Sequence, residues 1–136
     1  MELKELMREL VTGEIYDIAI YSAEADLFIS LPNHGPEISE LFTRLADEKR
    51  ARLKDFDKIT RERTGFRQRH HEPPRSIEAS LRLHITLTEK NIVLYGHLIK
   101  SLTNPEYKET FKGIMIREME VLKSLRALQA LIKQKK

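Results

Sequence analysis

Two carboxylates occupy positions where the sequence would otherwise bury apolar side chains. On a helical wheel, Glu14 falls at the centre of an apolar stripe in the first quarter of the chain, and Glu118 falls at the centre of another in the last quarter. A carboxylate in an apolar seam is costly unless it is paired with a cation, protonated or bound to a metal. Two such carboxylates on different helices therefore indicate a shared polar site.

Basic and neutral polar residues fall on the apolar faces of the two middle segments. Lys49 lies at the middle of the second face with Arg52 near it, and the third face has His84, Thr88 and Asn91 as its central polar residues. Ammonium, guanidinium and imidazole groups can pair with buried carboxylates without any metal. The sequence alone thus leaves both a metal site and a core of ion pairs open.

Four segments of roughly 25 to 30 residues carry these side chains, and their apolar spacings of three and four predict amphipathic helices. Pro36 and Pro105 suit the first helical position, with Gly35 and Asn104 as caps, and Ser76 suits the cap of the third helix. The predicted fold class is therefore all-α, a four-helix bundle that forms one domain over residues 1–136.

The connection over residues 61–75 is longer than the turns near 32–35 and 103–104. A helix of about 27 residues is about 40 Å long, and fifteen extended residues reach about 50 Å. This segment can therefore run from one end of the bundle to the other, which predicts two antiparallel hairpins joined by a long crossover. If part of the segment is helical instead, a plain up-down-up-down bundle results.

Three motifs resemble those of a known family. Glu14 and Tyr21 are seven residues apart in the first helix, and the spans Phe42–Arg52 (F-x-x-L-A-D-E-K-x-x-R) and Phe111–Val121 (F-x-x-I-M-x-x-E-x-x-V) lie in the second and fourth. These motifs resemble the rubrerythrin group of the ferritin-like proteins over nearly the whole chain. The resemblance implies a ferritin-like fold and a di-iron carboxylate oxidoreductase that handles peroxide or oxygen.

The family's iron ligands are mostly replaced in this sequence. Family members hold two irons with a Glu from each of helices 1 and 3 and a Glu-x-x-His pair from each of helices 2 and 4. Glu14 and Glu118 match two of these positions. The other four carry residues that are not ligands of iron, namely Thr88, Lys49, Arg52 and Val121. The resemblance therefore implies a depleted di-iron site in which Lys49 and Arg52 act as counter-charges.

Three interpretations of the core stay open. A shift of the helix registers by one residue would add two carboxylates and a histidine, and so complete a site for iron or another divalent metal: Glu48, Glu89 and His84. A single metal could instead be held by Glu14, Glu118 and His84. In the third interpretation the core is salt-bridged without metal, and the protein is a non-catalytic bundle that acts in assembly or partner binding.

The charge of the chain is nearly balanced except in one segment. The sequence has 24 basic and 21 acidic residues, and residues 61–75, with five Arg and two Glu, formally carry the whole excess of +3. A basic face for nucleic acid is therefore not expected. The segment itself predicts contact with an acidic partner or a phosphate group through Arg67, Arg69 and Arg75.

Composition excludes several other classes of site. The chain has no cysteine, so it has no disulfide, thiolate zinc site or iron–sulfur cluster. No apolar run approaches the roughly 20 residues of a membrane span and no signal peptide is evident, which predicts a cytoplasmic protein. Apolar residues placed on the outer helix faces predict a homodimer contact: Ile20, Leu83, Leu87 and Leu94.

Overall fold

The computed structural model describes residues 2–60 and 76–134, which form four α-helices. They are α1 (Leu3–Phe28), α2 (Gly35–Thr60), α3 (Ile77–Ser101) and α4 (Pro105–Gln134). Neither of the two described stretches contains a β-strand. The predicted all-α class, with the four long helices of a four-helix bundle, is confirmed. The predicted crossover, residues 61–75 with Arg67, Arg69 and Arg75, lies outside the described residues.

Contacts divide the helices into two compact units, and α1 contributes to both. One unit takes α1 from Val11 onward together with α2, and the other takes residues 2–10 together with α3 and α4. No helix in the described parts of the chain is long and apolar enough to cross a membrane.

The unit that contains α2 is an antiparallel helical hairpin. Next to the turn, the Ser39 hydroxyl donates a hydrogen bond to the carbonyl oxygen of Ala25 at 2.7 Å. Further along, the rings of Tyr21 and Phe42 meet edge to face with their centroids 4.8 Å apart. Partner numbers fall along α1 while they rise along α2, so the two helices run in opposite directions and stack successive side-chain pairs along the seam.

The turn between α1 and α2 depends on residues with unusual backbone freedom. Asn33 and His34 both have positive φ, at 58° and 75°, a region that Asn tolerates better than most residues. A Cβ at Gly35 would clash with the carbonyl oxygen of Phe28, so the chain reverses here only because this residue lacks a side chain. Helix α2 begins at Gly35 itself, which makes Pro36 its second residue and not its first, as the sequence had predicted.

The other unit is built around the pair α3 and α4. Tyr95 stacks on Phe111 with ring centroids 6.2 Å apart, and Arg126 pairs with Glu89 at 3.4 Å, so this pair is also antiparallel. Both helices begin at the predicted caps. The Ser76 side chain accepts a hydrogen bond from the backbone N–H of Ala79, and the Asn104 side chain accepts those of Glu106 and Tyr107.

The apolar residues expected on outer helix faces are not exposed. Ile20 and Leu94 are buried, and Leu83 and Leu87 are half-buried. That prediction was wrong because a helical wheel gives the direction of a side chain within one helix, whereas exposure depends on how deeply the neighbouring helices cover it.

Candidate functional site

Four charged side chains are buried together between α1 and α2, and we call them the charge cluster: Glu14, Asp17, Lys49 and Arg52. Each helix contributes two of them at a spacing of three residues, which places each pair on one face of its helix. Because the hairpin is antiparallel, the acidic pair of α1 lies opposite the basic pair of α2. Glu14 is fully buried and Lys49 is only 2% exposed.

The ammonium group of Lys49 lies between the two carboxylates. Its Nζ is 3.3 and 3.4 Å from the two oxygens of Glu14 and 3.1 Å from Oδ2 of Asp17. The guanidinium of Arg52 approaches the same glutamate, with Nη1 3.5 Å from Oε1. Two acids and two bases balance in formal charge. Burial of charges costs several kcal/mol per ion, and close pairing of this kind offsets that cost.

Asp17 belongs to the charge cluster although the sequence did not single it out. It lies three residues after Glu14, and its side chain is 5% exposed. A signal was present, because a residue three positions from the centre of an apolar stripe lies about 60° from that centre and is still inside the stripe. Only its contact with the Lys49 ammonium shows that Asp17 is part of the cluster.

A tyrosine with an altered pKa neighbours the cluster along α1. Burial raises the pKa of Tyr16 above its ordinary value of 10.0, and the nearby carboxylates of Asp17 and Glu24 raise it further. The Tyr16 hydroxyl therefore keeps its proton near pH 7, so it does not act there as a phenolate base or nucleophile.

Replacing Tyr16 by phenylalanine should lessen the loss of stability at alkaline pH. In the unfolded chain this tyrosine ionises near its ordinary value of 10.0, whereas in the folded protein it keeps its proton, so stability falls as the pH rises past that value. Urea unfolding of both proteins at a series of pH values measures this. Identical alkaline slopes in the two proteins would contradict the shift.

The α3–α4 unit buries its own set of polar residues. His84, Thr88 and Asn91 lie on one face of α3 as predicted from the wheel, and Glu118 of α4 is fully buried. Ser80, one turn before His84, was not predicted. Its hydroxyl is buried with no hydrogen-bond partner in the described part of the chain. Its spacing of four residues from His84 places it on the same face of α3, and this could have predicted its burial.

The two carboxylates that a register shift would recruit lie elsewhere. Glu48 is half-buried, next in sequence to the buried Lys49. Glu89 has a side chain 50% exposed and is paired with Arg126 at the surface. With the helices in these registers, α2 directs a lysine and not a glutamate at Glu14.

A metal site of three or more His, Asp or Glu side chains is not found among residues 2–60 and 76–134. Around Glu14, the absence of such a site follows from the charge of the neighbouring groups. A divalent cation needs neutral or anionic ligands, but two of the nearest groups to the Glu14 carboxylate are an ammonium and a guanidinium. The residues of the charge cluster therefore do not fit the iron pair that the family resemblance implies.

No known protein family and no curated protein matches this chain.

Proposed function

We propose that this protein is a ferritin-like relative of the rubrerythrins in which the charge cluster has replaced the di-iron site. It then acts without redox chemistry, as a helical protein of assembly or partner binding. The observation that carries this proposal is the position of the Lys49 ammonium, 3.3 Å from Glu14 and 3.1 Å from Asp17.

In the charge cluster, basic side chains neutralise the buried carboxylates in place of metal ions. In the family pattern, buried carboxylates are neutralised by two bound cations. Here Lys49 and Arg52 supply the positive charge from within the chain, and both are buried with the carboxylate they face. A metal that entered this site would have to displace both basic groups into a buried, low-dielectric environment, which is strongly unfavourable.

Several large apolar side chains outside the buried set offer contact area for a partner. Among the described residues these are Leu3, Leu27, Ile29, Val93, Ile116, Met119 and Leu131. Exposed apolar area supports a binding role when it is contiguous. Ile116 and Met119 meet this condition, since they are three residues apart on one face of α4.

Metal analysis of the protein expressed in iron-rich medium tests the proposal. We expect less than about 0.1 equivalent of iron, manganese or zinc per chain, since the buried carboxylates already have counter-charges. About one equivalent or more would contradict it, provided that the metal is lost in Glu14→Gln. Glu89→Gln is the matched control, because Glu89 is a surface glutamate that pairs with Arg126.

A further inference from the structure

The outer face of α4 carries a stripe of exposed residues centred on Ile116. Ile116 and Met119 are 55% and 47% exposed although both are large and apolar. The same face carries five more exposed residues, each three or four positions from another member of the set: Glu109, Lys112, Gly113, Glu120 and Lys123. We call these seven residues the α4 stripe. Their spacing is that of a seam between two packed helices. Within the helix, Lys112 pairs with Glu109 at 3.5 Å and Glu120 pairs with Arg117 at 3.4 Å.

The charges of the α4 stripe have a two-fold arrangement about Ile116. Glu109 precedes Ile116 by seven residues and Lys123 follows it by seven, and Lys112 and Glu120 are each four residues away. In an antiparallel pair of α4 helices centred on Ile116, each residue lies level with the one at the same distance on the other side. Glu109 then lies level with Lys123 of the second copy, about 10 Å from the centre, and Lys112 lies level with Glu120.

A parallel pairing would place like charges at the same level, Glu109 with Glu109 and Lys123 with Lys123. Among pairings that are in register at Ile116, only the antiparallel one therefore places opposite charges level with each other. Isologous contacts of this kind, in which the same patch serves both subunits, are the commonest basis of homodimers.

Gly113 leaves room on this face of α4 for the backbone of a second helix. A glycine inside a helix costs about 1 kcal/mol relative to alanine. A Cβ at Gly113 would meet no atom within 4 Å, so nothing within the described chain requires its absence. In the antiparallel pairing Gly113 lies level with Met119 of the second copy, and a missing side chain there lets the two backbones approach closely.

We propose that the protein is a homodimer in which the α4 helices of two copies pack antiparallel through the α4 stripe. This names the partner for the assembly role proposed above and rests on it. The contact uses only residues of α4, so it can be tested separately from the charge cluster.

Sedimentation analysis at protein concentrations from about 10 µM to about 1 mM tests the existence of the contact. The unmodified chain should be dimeric, and Ile116→Glu should be monomeric with unchanged helical content. Ile29→Glu is the matched control, because Ile29 is exposed to a similar extent, 59%, but lies just after α1. A monomeric unmodified chain, a dimeric Ile116→Glu variant or a monomeric Ile29→Glu variant would each overturn the proposal.

Charge exchange tests the orientation. Glu109→Lys and Lys123→Glu should each raise the dimer dissociation constant about tenfold, because each creates two like-charge contacts per dimer. The double variant should return the constant to within about twofold of the unmodified value, since the exchanged charges again lie opposite each other. A double variant as weak as the single ones would refute the antiparallel pairing. Neither readout depends on metal content, so failure here is distinguishable from failure of the metal-free proposal.

Discussion

Lys49→Met should destabilise the protein by about 3–5 kcal/mol, the usual cost of removing one partner from a buried ion pair. The substitution keeps the length and packing of the side chain but removes the ammonium that Glu14 and Asp17 share, which leaves two buried carboxylates and the Arg52 guanidinium beside Glu14. Typical domains have a total stability of about 5–15 kcal/mol, so this variant should be close to unfolding at room temperature. Urea denaturation followed by circular dichroism measures the loss.

The matched control is the same substitution at the surface. Lys90 pairs with Glu9 at 3.2 Å, but its side chain is 60% exposed. Lys90→Met should therefore cost less than about 1 kcal/mol. Equal losses of unfolding free energy for Lys49→Met and Lys90→Met would show that the buried ion pair contributes no more to stability than the exposed one.

A second substitution separates charge balance from packing. Adding Asp17→Asn to Lys49→Met leaves one carboxylate and one guanidinium, Glu14 and Arg52, which are 3.5 Å apart. We expect this double variant to recover about half of the lost stability, because the excess buried negative charge is gone. If the second substitution lowers stability further, side-chain packing and not charge balance dominates at Lys49.

Lys49→Glu combined with Arg52→His should convert the charge cluster into a metal site. The two basic groups that contact Glu14 are then replaced by the Glu-x-x-His pair that the resemblance places on the second helix. With Glu14 and Asp17, the α1–α2 hairpin would offer three carboxylates and one imidazole, a donor set suited to divalent iron, manganese or zinc.

Metal content and thermal stability both report on this conversion. Without metal, three buried carboxylates repel one another and the variant should unfold at a lower temperature than the parent. With metal, it should bind about one equivalent and regain stability, because ligands that bind only the folded state stabilise it. Lys49→Gln with Arg52→Gln is the control and should bind none. A metal-free double variant at saturating zinc would contradict the replacement of metal by charge.

The helices and several of the buried polar residues can be predicted from the sequence, because both depend on local periodicity. The caps at Ser76 and Asn104 followed from residue type alone, and Lys49 fell on the apolar face by its position on the wheel. The start of α2 differs by one residue from the prediction, because the Ile38 N–H bonds the carbonyl oxygen of His34 and this already places Gly35 inside the helix.

The contacts between side chains could not be predicted in the same way. A wheel places Glu14 and Lys49 on apolar faces, but it does not say that their hairpin brings them within 3.3 Å or that Asp17 joins them. The depth of burial was equally out of reach, which is why Ile20 was expected at the surface and Ile116 was not singled out. Both depend on how helices pack, a property of residues distant in sequence.

The most direct test is a crystal structure of protein grown with excess iron, with diffraction data collected on both sides of the iron absorption edge. We expect the Lys49 Nζ within about 3.5 Å of both Glu14 and Asp17, a normal ion-pair distance, and no anomalous peak at these carboxylates. An iron peak bound to Glu14, with the Lys49 side chain turned away to solvent, would contradict it.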